Sequence, residues 1–320
     1  MFQKTDSKNF VAKPPNFSKH MQLHFFKKNK PEKANKLIFV IGLLLFINLV
    51  ILGYSLFFVS PLSTELRVVF LDIGQGDAIL IQTPKQNILI DGGPDKNIVR
   101  KLDQYIPLTK RHIDLMILTH PDGDHLVGLV EVLRRWSVGA VAESGMKSLN
   151  PAYIEFNSLI ESKNIKRYII NTPQKMFLKD GLSLDFLWPF SKELIEDNEG
   201  DCNFLSLVAI LDYDDNDFLL TGDATEETEE ELMLRGLKLK VDVLKAGHHG
   251  SKYSSGIDFL EQVDPEYAII SVGENNNFGH PSLRVLDNFR KIGTKVLRTD
   301  KKGDIIFESN GQTLTVKTER

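Results

Sequence analysis

The sequence predicts an α/β layered domain preceded by one membrane-spanning helix. Three observations carry that reading. From residue 66 onward, short β-branched runs alternate with helical patterns. Residues 37–59 form an uninterrupted apolar stretch. Several of the short apolar runs end in loops rich in His, Asp and Gly, as expected where a site is assembled at the ends of strands.

Residues 1–36 hold nine Lys against Asp6 and Glu32, a net charge of +7, and include Pro14-Pro15. Such a segment reads as a disordered basic tail that can lie on anionic lipid, its simplest role being to fix topology. The 23 residues 37–59 contain no Asp, Glu, Lys, Arg or His, and eighteen are Leu, Ile, Val or Phe. At about 1.5 Å per residue they span roughly 35 Å, enough for a hydrocarbon layer of about 30 Å. A buried core helix would show a polar face, and none is present. A cleaved signal peptide would have a shorter apolar region ending in small residues, which Phe57-Phe58-Val59-Ser60-Pro61 does not supply. An uncleaved signal anchor fits, with the lipid bilayer as its partner. The charge asymmetry puts the tail in the cytoplasm and residues 60–320 outside it, in a single-pass cell-membrane protein.

Residues 60–320 carry 30 basic and 41 acidic side chains, a net charge of −11. That excludes a broad nucleic-acid-binding face, leaving Lys301-Lys302 and Arg134-Arg135 as small basic edges. Cys202 is the single cysteine, so no intrachain disulfide can form.

Within this domain, residues 66–71, 78–82 and 88–90 read as strands of an antiparallel meander, with turns at Gly74-Gln75-Gly76 and at 84–87. Residues 97–102, 126–136, 152–163 and 226–235 read as helices; 113–118, 205–211, 218–221, 241–245, 267–272 and 295–297 read as further strands. Residues 304–308 and 313–317 flank Asn310-Gly311, which supplies the positive φ angles of a two-residue hairpin turn. No short-period repeat is evident. Gly74-Gln75-Gly76 is not a phosphate loop, because no helix opens behind it.

The run Thr119-His120-Pro121-Asp122-Gly123-Asp124-His125 follows a buried strand and precedes a helix. Two imidazoles and two carboxylates so closely spaced on a strand-to-helix loop can face one point, which makes this a metal-binding loop. Further blocks of the same form are Leu71-Asp72-Ile73-Gly74-Gln75-Gly76-Asp77, Ile90-Asp91-Gly92-Gly93, Thr221-Gly222-Asp223, Gly247-His248-His249-Gly250-Ser251 and Gly279-His280-Pro281. For Asp72 and Asp77, turn chemistry and a role in the site are equally compatible with the sequence.

In this order the blocks resemble the metallo-β-lactamase superfamily of metal-dependent hydrolases. Gln75-Gly76-Asp77, Asp122 and Gly-His-His-Gly-Ser narrow the resemblance to the carboxy-terminal metallo-β-lactamase-like domain of ComEC/Rec2 competence proteins, over roughly residues 66–307. The resemblance implies an αββα sandwich with its site at one edge, between two sheets. It also implies that His120 and Asp122 serve a first metal and Asp124 and His125 a second, with Asp223 bridging. Most members have His at position 122, and a further His would complete the first site; Asn203 is the nearest substitute here. His280 would then be the last ligand and His249 a proton donor, an assignment that the sequence leaves interchangeable. Asp91 would brace the loop without binding metal, and His248 would face the site or pack beside it. The oxygen-rich first site favours Mn²⁺ over Zn²⁺, with one or two ions bound.

The function implied is a membrane-anchored hydrolase acting outside the cytoplasm on phosphodiesters, with DNA as substrate and a metal-bound hydroxide as the attacking group. Because the sequence holds no many-helix channel, a separate membrane channel protein is an expected partner. The alternatives are hydrolysis of a lactone or β-lactam, or a non-catalytic surface protein that keeps the fold for binding.

Overall fold

The computed structural model describes residues 32–58, 66–198 and 200–320. Most of the basic tail, as well as the end of the apolar stretch at Val59, lies outside the described residues. The chain divides into two units, residues 1–61 and 62–320.

In the first unit, α1 (Glu32–Phe58) is a continuous helix of 27 residues. Side chains 38–50 along it expose Ile38, Phe39, Val40, Ile41, Leu43, Leu44, Leu45, Phe46, Ile47, Leu49 and Val50. The polar exception, Asn48, donates its amide to the Leu44 carbonyl at 2.9 Å and so satisfies itself within the helix. Among the described residues no helix is long and apolar enough to cross a membrane. In α1 the side chains described are Lys36 and 38–50, a stretch too short by itself to span a bilayer.

The second unit is two facing sheets with helices outside both. The first sheet contains β1 (Leu66–Phe70), β2 (Ile79–Thr83), β3 (Gln86–Ile90), β4 (His112–Leu118), β5 (Ser137–Glu143) and β6 (Lys166–Ile169). The second contains β7 (Gln174–Phe177), β8 (Ser183–Trp188), β9 (Val208–Tyr213), β10 (Asn216–Leu220), β11 (Val243–Lys245), β12 (Tyr267–Ile270) and β13 (Lys295–Arg298). The closing hairpin, β14 (Ile305–Ser309) and β15 (Leu314–Thr318), returns to the first sheet and pairs beside β1. The helices are α2 (Asn97–Tyr105), α3 (Gly123–Arg135), α4 (Pro151–Ser162), α5 (Lys192–Asp197), α6 (Glu226–Leu234), α7 (Ile257–Val263), α8 (Leu283–Ile292) and the short α9 (Thr299–Lys302).

Why the strands read as apolar runs follows from this layering. Val68, Phe70, Ile79, Ile81, Ile88, Ile90 and Ile117 of the first sheet meet Leu184, Phe186, Leu211, Phe218, Val243 and Ile269 of the second. The alternate residues Val69, Leu80, Leu89 and Met116 turn outward onto Ile98, Leu102, Leu126, Leu129 and Leu133 of α2 and α3. Leu219, Leu244 and Ala268 likewise pack on Leu232, Phe259, Leu260 and Phe289 of α6, α7 and α8. A strand covered on both faces has no polar side to show. The expected αββα order is thus present.

Strand β9 begins at Val208, not at residue 205, because Ser206 turns back on Asn203 (N to O 3.1 Å) and Leu207 bonds the Thr119 carbonyl at 3.1 Å. Helix α3 begins three residues before the expected start, since the Asp122 carbonyl already accepts from His125 and Leu126. Strands β5 to β8 and helices α5, α7 and α8 were not legible as elements. β6 and β7 are short and partly exposed, and α7 spans only seven residues.

Strands β3 to β6 run parallel, as do β10 to β13. Parallel neighbours align the carboxyl ends of β3, β4, β10, β11 and β12, and the loops that leave those ends carry the chemistry-bearing residues.

One contact on the outer layer has a pH consequence. The Glu229 carboxylate of α6 accepts from Ser255 N at 2.6 Å and from Gly256 N at 2.9 Å, closing the amino end of α7. Burial, opposed by those two amides, pushes its carboxyl up to about 8 from an ordinary 4.5. The folded domain therefore holds a proton between pH 4.5 and 8 that the unfolded chain releases. Stability is present at the acid end and declines as pH rises through the folded value. Between pH 6 and 9 the loss should be on the order of 2 kcal/mol. Urea unfolding at both pH values checks this, and Glu229→Gln should lower the loss by about that amount whatever its absolute stability.

Candidate metal centre

The site grows from the loop after β4. Asp91, at the end of β3 with φ 56°, accepts from Thr119 N at 2.9 Å and Thr119 Oγ1 at 2.7 Å, and from His125 Nδ1 at 2.8 Å. Gly92 follows because α3 lies directly against it, and Gly93, at φ 74°, because a Cβ there would sit 1.9 Å from Ile73 Cδ1. A Cβ on Gly92 would sit 2.4 Å from Leu129 N, and one on Gly128 would sit 1.8 Å from the Gly92 carbonyl oxygen. Asp91 thus ties β3 to the loop after β4 and to His125 of α3 through three hydrogen bonds.

With the Thr119 hydroxyl donating to Asp91, its oxygen is left to accept from His120 Nδ1 at 3.0 Å. His249 Nδ1 donates to the Ser271 carbonyl at 2.9 Å. All three imidazoles therefore commit Nδ1 to the protein and turn Nε2 inward, the tautomer set by the outer partner. The inward atoms converge on Asp223. Its Oδ2 lies 3.3 Å from His125 Nε2, 3.3 Å from His249 Nε2 and 3.8 Å from His248 Nε2. Asp124 Oδ2 is 3.3 Å from His249 Nε2.

The Nε2 atoms of His120, His125 and His249, together with Asp223 Oδ1 and Asn203 Oδ1, are buried without a hydrogen-bond partner. Buried polar atoms left unsatisfied in one place are costly unless something absent from the chain satisfies them. The groups His120–His125–Asp223 and Asp124–His125–His249 each bring three ligand atoms within 4.8 Å of one another. These residues fit a divalent cation.

The electrostatics agree. Burial and the neighbouring His125 charge push His120 down to about 3, which keeps it a neutral donor. Burial works against charge on His125 and His249 as well. Even so, Asp223 and Asp91 outweigh it at His125, and Asp223 and Asp77 at His249, so both rings sit well above the ordinary histidine range. At Asp223, His249 and His125 overcome burial and hold the carboxyl well below its usual range. The carboxylates thus gather positive charge, and a divalent ion competes with those ring protons for them.

Not every expected ligand joins this cluster. Asp122 Oδ2 lies 3.7 Å from His120 Nε2 with its side chain half exposed, and burial raises its carboxyl. It also bears on Cys202, whose thiol burial and Asp122 push up to about 11. Asn203 reaches the rim, with Nδ2 3.5 Å from His248 Nδ1. His280 stands further out, its ring centroid 6.5 Å from that of His249, while of the two interchangeable histidines it is the buried His249 that lies beside Asp124 and Asp223. The reason is local: His248 and His249 both adopt positive φ (44° and 54°), which drives His249 inward and leaves His248 facing the cleft. Such conformations cost on the order of 1–3 kcal/mol each and concentrate at functional sites.

Two residues were missed or left open. Asp77 is buried, with Oδ1 3.4 Å from His249 Nδ1 and Oδ2 2.7 Å from Lys245 Nζ. Lys245, 0 % exposed, also donates to the carbonyls of Gly222 at 3.1 Å and Ala246 at 2.8 Å. Burial disfavours charge on Asp77, but Lys245 and His249 outweigh it and keep the carboxyl ionised. One ammonium therefore ties the Gln75-Gly76-Asp77 turn, the Asp223 loop and the His248-His249 loop together. The signal available in the sequence was a lone Lys closing the apolar run Val243-Leu244. Ser206 completes the frame by accepting from Asp223 N at 3.0 Å.

The centre opens on a cleft of about 880 Å³ lined by Asp72, Gln75, Asp95, Asp122, Asp124, Asp223, His248 and Phe278, among others.

Comparison with known proteins agrees with this construction. Residues 71–188 match the family described as the metallo-beta-lactamase superfamily. ComE operon protein 3 of Bacillus subtilis is 34% identical over 280 residues, 79% of this chain and 34% of that protein. Competence protein ComA of Neisseria gonorrhoeae is 32% identical over 250 residues, 77% of this chain and 32% of that protein. The chain thus spans about a third of the length of these relatives. The metallo-beta-lactamase fold protein YhfI from Bacillus subtilis superposes with a TM-score of 0.51 at 15% identity, over 77% of this chain and all of that one, a likeness of fold. With the motif loops, the two-sheet sandwich and the metal-ligand cluster in agreement, residues 71–188 match the metallo-β-lactamase superfamily, and the domain is similar to part of the competence proteins.

Proposed function

We propose that this hydrolase-fold domain is a metal-dependent phosphodiesterase that cleaves DNA outside the cytoplasm, held at the membrane by residues 37–59. The observation that carries the reading is the gathering of three unpartnered imidazole nitrogens beside Asp223, which lines an open cleft. The choice of DNA as substrate class rests on the resemblance to competence proteins, among them Competence protein ComA of Neisseria gonorrhoeae. A helix of 27 residues with exposed apolar side chains at 38–41, 43–47, 49 and 50, and a net charge of +7 over residues 1–36 ahead of the apolar stretch, support the anchor and its orientation.

A bound divalent ion supplies Lewis acidity toward a phosphoryl oxygen and lowers the pKa of a water. The protein's part is to hold and orient. Asp124, His125, His249 and Asp223 would hold an ion in a mixed nitrogen and oxygen set; Asp122, 3.7 Å from His120, and Asn203 lie at the rim, and their oxygens would favour Mn²⁺ over Zn²⁺ there. His248, facing the cleft 3.8 Å from Asp223, is placed to pass a proton to a departing oxygen, and His249 is read as a ligand. Hydrolysis of a lactone or β-lactam gains no specific support from these contacts. The test is cleavage of labelled single-stranded DNA by the full chain: activity should vanish with chelator and return with Mn²⁺. Metal-loaded protein that leaves DNA intact overturns the reading.

A further inference from the structure

The loop between β12 and α8 presents Phe278 with 68 % of its surface exposed. A singly exposed aromatic is ordinary, so exposure alone says nothing. Three contacts set this one apart. Phe278 lines the same cleft as Asp122, Asp124, Asp223 and His248. Its ring stacks on His280 at 5.8 Å between centroids and 28° between planes. Its backbone is fixed by Asn276, whose Oδ1 accepts from Phe278 N at 3.1 Å and His280 N at 3.0 Å, and whose amide donates to the Gly273 carbonyl at 3.0 Å and the His280 carbonyl at 2.7 Å. Gly273 N in turn donates to Gln75 Oε1 at 3.2 Å, tying the loop to the turn that carries Asp77.

The ring is thus held outward at the mouth of the centre by a rigid turn. Elsewhere the cleft is lined by the acidic and polar Asp72, Asp95 and Asn97 and by Ile73 and Pro94, which offer no planar aromatic ring. We propose that Phe278, backed by His280, is the platform on which a nucleobase of a single-stranded substrate stacks while its phosphodiester faces Asp124 and Asp223. The proposal rests on the phosphodiesterase reading. Stacking accepts any base, since each has a π face, so the platform selects single-stranded over paired substrates without reading sequence.

The test uses the full chain with Mn²⁺ and two strands of equal length, one of thymidines and one of tetrahydrofuran abasic units. For the parent, KM should be about tenfold lower on the thymidine strand, the scale of one base–aromatic stack. Phe278→Ala should erase that preference with kcat changed by less than about twofold, as expected when uniform binding is lost. Phe278→Trp should keep it, and both variants should bind as much Mn²⁺ as the parent. A Phe278→Ala variant that cleaves DNA with the preference intact, or that loses its Mn²⁺, overturns the platform and leaves the phosphodiesterase reading standing. A Mn²⁺-loaded parent that cleaves neither strand overturns both.

Discussion

Lys245→Met should cost about 3–5 kcal/mol of stability, because it strands a buried carboxylate rather than merely deleting a contact. Asp77 is 1 % exposed and has Lys245 Nζ at 2.7 Å as its close cationic partner, while the carbonyls of Gly222 and Ala246 lose their donor as well. Adding Asp77→Asn should restore much of the loss by removing the unpaired charge. It should not restore the metal centre, because the ammonium also fixes the loop that carries Asp223 and the strand end that leads to His249. Loss of such outer partners weakens metal affinity by about 10–100-fold. Urea unfolding and Mn²⁺ titration of the single and double variants separate the two effects. A single variant as stable as the parent would show that the pair contributes little.

Asp223→Ala should be the most damaging change at the centre itself. Its carboxylate is the one group within 3.8 Å of His125, His248 and His249 together. Removing it leaves the imidazoles without the anion that gathers charge there. We expect bound Mn²⁺ to fall and DNA cleavage to drop by more than about a hundredfold, exceeding the loss typical of an outer partner. The fold should survive, since Ser206 Oγ, which accepts from Asp223 N, can still do so. Metal analysis beside circular dichroism checks both halves of that statement.

Where the sequence was legible, local chemistry decided the outcome. His120 lies on the loop after β4 and Asp124 and His125 on the first turn of α3, so their spacing alone brings them together, and the two-faced burial of β1 to β4 announces itself as runs of Val, Ile and Leu. Where it was not legible, tertiary contacts decided. Asp77 and Lys245 are 168 positions apart and meet only because both sheets end at the same edge. The assignment of His249 and His280 depended on two consecutive residues adopting positive φ, which residue type does not reveal. The extent of β9 depended on Leu207 bonding the Thr119 carbonyl, an interaction between distant loops. Strands β6 and β7 lie towards the sheet margins with partly exposed side chains, so the apolar pattern that marks buried strands is weak there.

We propose that this cluster of histidines and carboxylates holds a divalent ion used to cleave DNA. The most direct test is cleavage of labelled single-stranded DNA by the full chain in Mn²⁺, with His125→Ala run beside it. His125 is chosen because it joins Asp91 on one side to Asp223 on the other and is completely buried between them. The account predicts cleavage by the parent and none by the variant. Intact DNA with a Mn²⁺-loaded parent, or equal cleavage by both proteins, would contradict it.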